Sequence, residues 1–143
     1  MKKGFYFSLV VILSFCTLGM GGMGEGDAIT VPEPEENYAV TLIDQSDVSI
    51  DLEKFSCDGL TCIIGKMGRV EISIGFDKIN SVFFLLHDKD VVAKINLKDG
   101  KVVELVVDNK KPCYGVSSFA DIRIETQDIK RLTIHRKIPK KVE

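Results

Sequence analysis

Apolar positions along the chain follow two regimes. From Gly4 to Leu18 they form an almost unbroken run (Phe5, Tyr6, Phe7, Leu9, Val10, Val11, Ile12, Leu13, Phe15), whereas from Tyr38 onward they recur at every second residue. Val40 and Leu42, then Val48, Ile50 and Leu52, alternate with Thr, Ser and Asp. Val70, Ile72 and Ile74 alternate with Glu71 and Ser73, and Val103, Leu105, Val107, Ile122 and Ile124 continue the theme. A strand sends successive side chains to opposite faces, so this pattern predicts strands with one face in a core and the other in water. No window carries a 3.6-residue stripe, and the fold class is read as all-β. Strands are predicted over 39–43, 47–54, 61–66, 69–75 and 80–86, then 92–97, 101–107, 113–116, 119–125 and 131–136. Turn signals lie between them. Asp58-Gly59 is the strongest, because both residues tolerate the positive φ of a tight hairpin turn. The run Val82-Phe83-Phe84-Leu85-Leu86 breaks the alternation. It predicts a strand covered on both faces or a contact surface, with burial the favoured reading.

The two halves of this β region resemble each other. A shift of 50 residues aligns Gly65 with Gly115, Ile72 with Ile122, Ile74 with Ile124 and Ile79 with Ile129; a shift of 55 aligns Leu42 with Leu97 and Val48 with Val103. The sequence therefore predicts two similar five-stranded halves, as tandem small barrels or one ten-stranded sandwich. Before the last strand of each half, Phe76-Asp77-Lys78-Ile79 and Thr126-Gln127-Asp128-Ile129 predict a 3₁₀ turn whose isoleucine plugs the core. Five strands with such a turn, and Leu97-Lys98-Asp99-Gly100 opening the second half, resemble small barrels of the SH3 or Sm type. That likeness covers strand count and one turn and implies no function.

The apolar run at the start has a different meaning. Met1-Lys2-Lys3 precedes it and Gly19-Met20-Gly21-Gly22-Met23-Gly24 follows, the order of an export signal. Cleavage after Gly19, Gly21 or Gly24 fits the small residues there. Lipidation of Cys16, which follows Leu13-Ser14-Phe15, and retention as an uncleaved membrane anchor are the alternatives. In each case the lysines stay inside and the remainder is exported, to the periplasm or cell surface. The organisation read from the chain is a signal or anchor over 1–24, an acidic Pro-containing linker over 25–38, β repeats over 39–87 and 88–138, and a basic tail over 139–143. The lipidated and anchored alternatives would bring the chain to a membrane through its N-terminus.

Charge and reactive residues narrow the function less. Once Lys2 and Lys3 leave with the signal, 17 Lys and Arg face 21 Asp and Glu, which argues against a nucleic-acid partner. Cys57, Cys62 and Cys113 remain, in an oxidising compartment. A four-residue hairpin loop would set Cys57 opposite Cys62, the preferred disulfide; Cys62 with Cys113 is second, and Cys113 is otherwise a small core residue. If Asp58-Gly59 alone makes the turn, Cys57 faces Leu60 instead. The C-x₄-C spacing fits neither a thioredoxin-type motif nor covalent haem attachment, and no metal or other cofactor is expected. His87 and His135 read as exposed. Lys130, Arg131, Arg136, Lys137, Lys140 and Lys141 crowd the C-terminus, either as a patch for anionic partners or as a solvated strand and tail. Ser117-Ser118 lacks a nucleophile-elbow context, so catalysis is disfavoured. The function expected is a non-catalytic exported module that binds an envelope protein or ligand. The alternatives are a thiol- or metal-dependent redox protein using the three cysteines, and a small hydrolase with a dispersed site.

Overall fold

The computed structural model describes residues 28–140 of the chain. The signal or anchor region, Cys16 and Lys141 lie outside them. Ten strands form: β1 (Asn37–Asp44), β2 (Ser49–Cys57), β3 (Cys62–Met67), β4 (Val70–Gly75), β5 (Ile79–His87), β6 (Asp90–Leu97), β7 (Val102–Val107), β8 (Pro112–Val116), β9 (Asp121–Glu125) and β10 (Ile129–Ile138). Two 3₁₀ turns, Phe76–Lys78 and Thr126–Asp128, precede β5 and β10, and Ile79 and Ile129 behind them are fully buried. The protein is all-β, with every strand pair antiparallel.

The architecture is neither a pair of tandem barrels nor a two-sheet sandwich. All ten strands join one curled sheet in the order β4-β3-β7-β6-β5-β10-β1-β2-β8-β9. Local hairpins account for β1–β2, β3–β4, β5–β6–β7 and β8–β9, but β3 lies on β7 and β8 lies on β2. A barrel made only of residues before 88 is thereby impossible, because the β3–β4 hairpin pairs with a strand beyond that point. The order is unchanged when each strand is exchanged for the one five places along the chain.

Two glycines permit the long-range seams. A Cβ on Gly65 would stand 2.8 Å from both Leu105 Cβ and the Val106 carbonyl oxygen, and one on Gly115 would stand 2.9 Å from Leu52 Cδ1. Backbone bonds repeat the correspondence: Phe76 N–H donates to the Thr61 carbonyl (3.0 Å) and Thr126 N–H to that of Lys111 (3.1 Å). Gln45 N–H likewise donates to the Asp128 carbonyl (2.8 Å), and Lys98 N–H to that of Lys78 (3.0 Å). These matching contacts lie 50 residues apart at Gly65 and Gly115 and 53 apart at Leu52 and Leu105. The shift of 55 that aligns Leu42 with Leu97 and Val48 with Val103 differs from this spacing by two, a slip that keeps every side chain on its own face.

One continuous core lines the inner face: Val40, Leu42, Leu52, Val82, Phe84, Ile95, Leu105, Leu132 and Ile134 all belong to it. Tyr38 meets Phe76 edge-on at 5.6 Å and Phe55 lies 5.8 Å from the same ring, pairs worth about 0.5–1.5 kcal/mol each beyond their burial. Tyr38 was assigned to the linker by composition, yet it is buried, and Pro34 before it is buried too. The run Val82–Leu86 is not covered on both faces. Val82 and Phe84 point inward, while Leu85 is 48% and Leu86 60% exposed, so burial gives way to an open apolar strip at the end of β5.

The seams should be sensitive to a single methyl. Gly65→Ala is expected to cost about 2–3 kcal/mol in urea unfolding, within the range of overpacking, because a backbone oxygen cannot move aside. Gly115→Ala, which meets the Leu52 side chain and no backbone atom, should cost less; equal effects would contradict the seam geometry.

Candidate functional site

Of the sequence-derived candidates, the cysteines are resolved first. Cys57 and Leu60 exchange both backbone hydrogen bonds at 2.9 Å around Asp58 (φ 56°) and Gly59 (φ 79°), a two-residue turn. The loop is therefore too short to set Cys57 opposite Cys62, and that preferred pairing is corrected. Cys57 stands directly across from Cys113 on β8 and is bonded to it, with Cα atoms 3.9 Å apart. The second choice fails as well, since Cys62 registers with Gly75 on β4 and is a free, half-buried thiol. Cys113 is not a simple core residue but one end of a bridge that fastens the β8–β9 hairpin to β2.

The basic residues of β10 have different neighbours. Lys130 pairs with Asp47 (2.5 Å), Lys137 with Glu36 (2.7 Å), and the Arg131 guanidinium lies 5.1 Å above the Phe83 ring. Lys140 stands with Lys137 and Glu36 beside an open depression of about 530 Å³ at the end of the strand. Glu36 also accepts a hydrogen bond from the Tyr38 hydroxyl (2.8 Å). The Lys137 bond, and then the Tyr38 bond, hold the Glu36 carboxyl below its ordinary value of 4.5. Burial, followed by the bond to Glu36, pushes the Tyr38 phenol up. Among the described residues no three His, Cys, Asp or Glu side chains come together as a metal site, and His87 stands exposed at the end of β5.

Arg136 belongs to a different feature. Opposite β10, Ala39 pairs with Arg136 and Val40 with Ile134, which leaves His135 as an extra, unpaired residue. This bulge turns both His135 and Arg136 outward, over the small Ala39. Across β1, Thr41 pairs directly with Asp51 on β2. The Thr41 hydroxyl donates to Asp51 Oδ1 at 2.6 Å, and His135 Nε2 lies 2.6 Å from the same Thr41 oxygen. The single hydroxyl proton is committed to the carboxylate, so Thr41 accepts from His135 Nε2–H. The network assigns that tautomer and leaves Nδ1 as the free ring atom. A relay His135→Thr41→Asp51 thus spans three strands and fixes the imidazole.

The relay borders an open groove of about 510 Å³, within the range of small-ligand sites. Asp51 and Glu53 form one wall, His135 and Arg136 the other, and the β8–β9 turn at Ser117 and Ser118 closes one side. Two strand spacings, about 10 Å, separate the acidic wall from the basic one. Its floor is the half-buried Ala39 and Val116, while Val40 and Leu52 between the walls send their side chains into the core. Ser117 is no nucleophile. Its Oγ donates to the Ala120 carbonyl (2.9 Å) and accepts from Ala120 N–H (2.9 Å), so it is spent on shaping the turn. The sequence offered no signal for this groove, because the extra residue at His135 is a register event and His135 has no spacing relation to Asp51.

Comparisons add kinship without a role. Residues 34–137 match the model of a family described as "Uncharacterised protein". A protein of Aquifex aeolicus (strain VF5), also described as "Uncharacterized protein", is 23% identical over 106 residues, covering 73% of this chain and 80% of that one. No solved structure matches the chain.

Two measurements check these assignments. The bridge closes a segment of 56 residues, for which chain entropy gives about 4 kcal/mol; replacing Cys57 and Cys113 together by Ser should lower the unfolding free energy by about 2–4 kcal/mol, whereas Cys62→Ser should leave it nearly unchanged. By NMR titration, the Glu36 carboxyl should protonate below its ordinary range and move up in Lys137→Gln. Because that carboxyl is depressed, its contribution to stability is present above the unfolded value and lost as pH falls through the folded one.

Proposed function

We propose that this chain, which belongs to the uncharacterised-protein family matched over residues 34–137, is an exported, non-catalytic binding module of the bacterial cell envelope that recognises its ligand in the groove beside His135. The observation that carries the reading is the bulge at His135. It sets two polar side chains on one face, locks one through Thr41 and Asp51, and does so beside the small apolar surface of Ala39 and Val116. Bulges concentrate next to functional sites because they re-aim a side chain without disturbing the core. Export is supported by the charged start, apolar run and small residues of 1–24, and by a bridge of the kind that persists in oxidising compartments.

The same reading takes the two five-stranded halves as products of duplication. Matching glycine seams, matching 3₁₀ turns and the exchange-invariant strand order support it. The halves have since diverged on their outer faces. The position of His135 in the second half corresponds to Leu85 in the first, and Thr41 and Asp51 correspond to Lys94 and Glu104. The groove is built on one copy only, as expected when one site is kept and the other becomes framework.

Fractionation of the native host followed by intact-mass analysis tests the compartment. The chain should be found outside the cytoplasm, start after Gly19, Gly21 or Gly24, and carry one disulfide. A full-length cytoplasmic chain with reduced cysteines would falsify export. For the groove, a soluble envelope extract added to isotope-labelled protein should shift the amide signals of Ala39, Asp51, Ser118 and His135. Perturbation confined to other strands would remove the groove from the model.

A further inference from the structure

Resting on the groove as the recognition site, we infer that its ligand is a neutral saccharide. A sugar ring presents hydroxyls around its edge, each both donor and acceptor, and C–H groups on its faces. A site for it must offer acceptors and donors around an apolar floor, with a flat apolar ledge. The groove supplies the acceptors, the donors and, in Ala39 and Val116, a small apolar floor; the ledge lies on the turn beside it. One oxygen of Asp51 is taken by Thr41, which leaves the other, together with the Glu53 carboxylate, to accept from hydroxyls. Arg136 supplies planar donors, and no carboxylate lies within 4.0 Å of it among the described residues. Ser118 brings a hydroxyl of either sense, and His135 a ring already oriented by its bond to Thr41.

The ledge would be Phe119, which sits beside the groove and does not line it. It is 79% exposed, the most open of the large apolar side chains among the described residues, and it stands one position beyond Ser118 on the turn that closes the groove. That turn is stiff. Ser117 Oγ accepts from the N–H of Phe119 (3.3 Å) and Ala120 (2.9 Å), and the Ser117 and Ala120 backbones are joined at 2.8 Å. An aromatic ring held in water on a fixed turn serves nothing in the core, whereas its face suits the C–H face of a sugar. Charge excludes the simpler ligands. A lone anion drawn to Arg136 meets Asp51 and Glu53, and a lone cation drawn to those carboxylates meets Arg136. A neutral polyhydroxylated molecule satisfies both walls without opposing either.

The test is NMR titration of the labelled, disulfide-intact domain with a panel of di- to tetrasaccharides of glucose, N-acetylglucosamine and galactose, beside a hexapeptide of alternating Lys and Glu. At least one saccharide should shift the amides of Ala39, Asp51, Ser118, Phe119 and His135, and the peptide should not. Phe119→Ala, at a fully solvated position, should melt as wild type and bind about threefold to tenfold more weakly, the size of one aromatic contact. Asp51→Asn keeps an acceptor for Thr41 but removes the charge, and should weaken binding about tenfold to a hundredfold. Shifts of the groove by the peptide alone would overturn the saccharide and leave the groove standing. Silence toward every saccharide, with the envelope extract still perturbing the groove, would overturn it too. Silence toward the extract as well would remove both readings.

Discussion

The structure depends on the exchange of hairpins across the middle of the chain. β3–β4 leaves the strands it follows and pairs with β7, while β8–β9 crosses back to β2. Without these seams the molecule is a central six-stranded meander, β7-β6-β5-β10-β1-β2, with both flanks unsatisfied. With them a single sheet curls far enough to enclose a core. Close approach is the condition, and it is met where Gly65 and Gly115 have no side chain to hold the strands apart. The two seams are not equally fastened. Only β2 and β8 carry a covalent link, and only that side bears the groove. The turn that closes the groove is the tip of the hairpin the disulfide holds, so the framework of one seam positions the wall of the site.

Much of the architecture was legible in the chain, and the part that was not has a common cause. All ten strands and both 3₁₀ turns follow from alternation and turn chemistry, which are local properties. The strand order is not local: nothing in Cys62–Met67 states that its partner is β7 rather than β2. The cysteines show the boundary well. The Asp58-Gly59 dipeptide already contained the condition under which Cys57 faces Leu60, but the identity of its true partner required knowing that β8 lies on β2. In the same way, Val82–Leu86 looked doubly covered because apolar content does not report where a sheet curls away from its neighbours. Leu85 and Leu86 lie at the end of β5, past the covered core.

The groove was illegible for a sharper reason. His135 reads as one more exposed residue in a basic strand, and Thr41 and Asp51 as ordinary outward positions. Their meeting needs a bulge, and a bulge adds one residue to a strand without changing its composition. Charge clustering pointed at the same strand for another reason, and the residues it grouped are used separately: Lys130 and Lys137 in ion pairs, Arg131 over an aromatic ring, Arg136 in the groove.

The interleaved strand order also governs when the chain can fold. During synthesis β2 emerges long before β8, and β3–β4 before β7, so neither hairpin finds its partner until more than half the sequence has appeared. Pairings of such high contact order form late and slowly. A fragment ending near residue 88 has nowhere to lay β3, and its open edges invite association with other chains. Over the same interval Cys57 waits for Cys113 with the thiol of Cys62 five residues away. Oxidation that outpaces the arrival of β8 favours the short-range Cys57–Cys62 bridge, and the native one then forms when the Cys113 thiolate attacks Cys57 Sγ and expels Cys62 as the thiol that the finished protein leaves free.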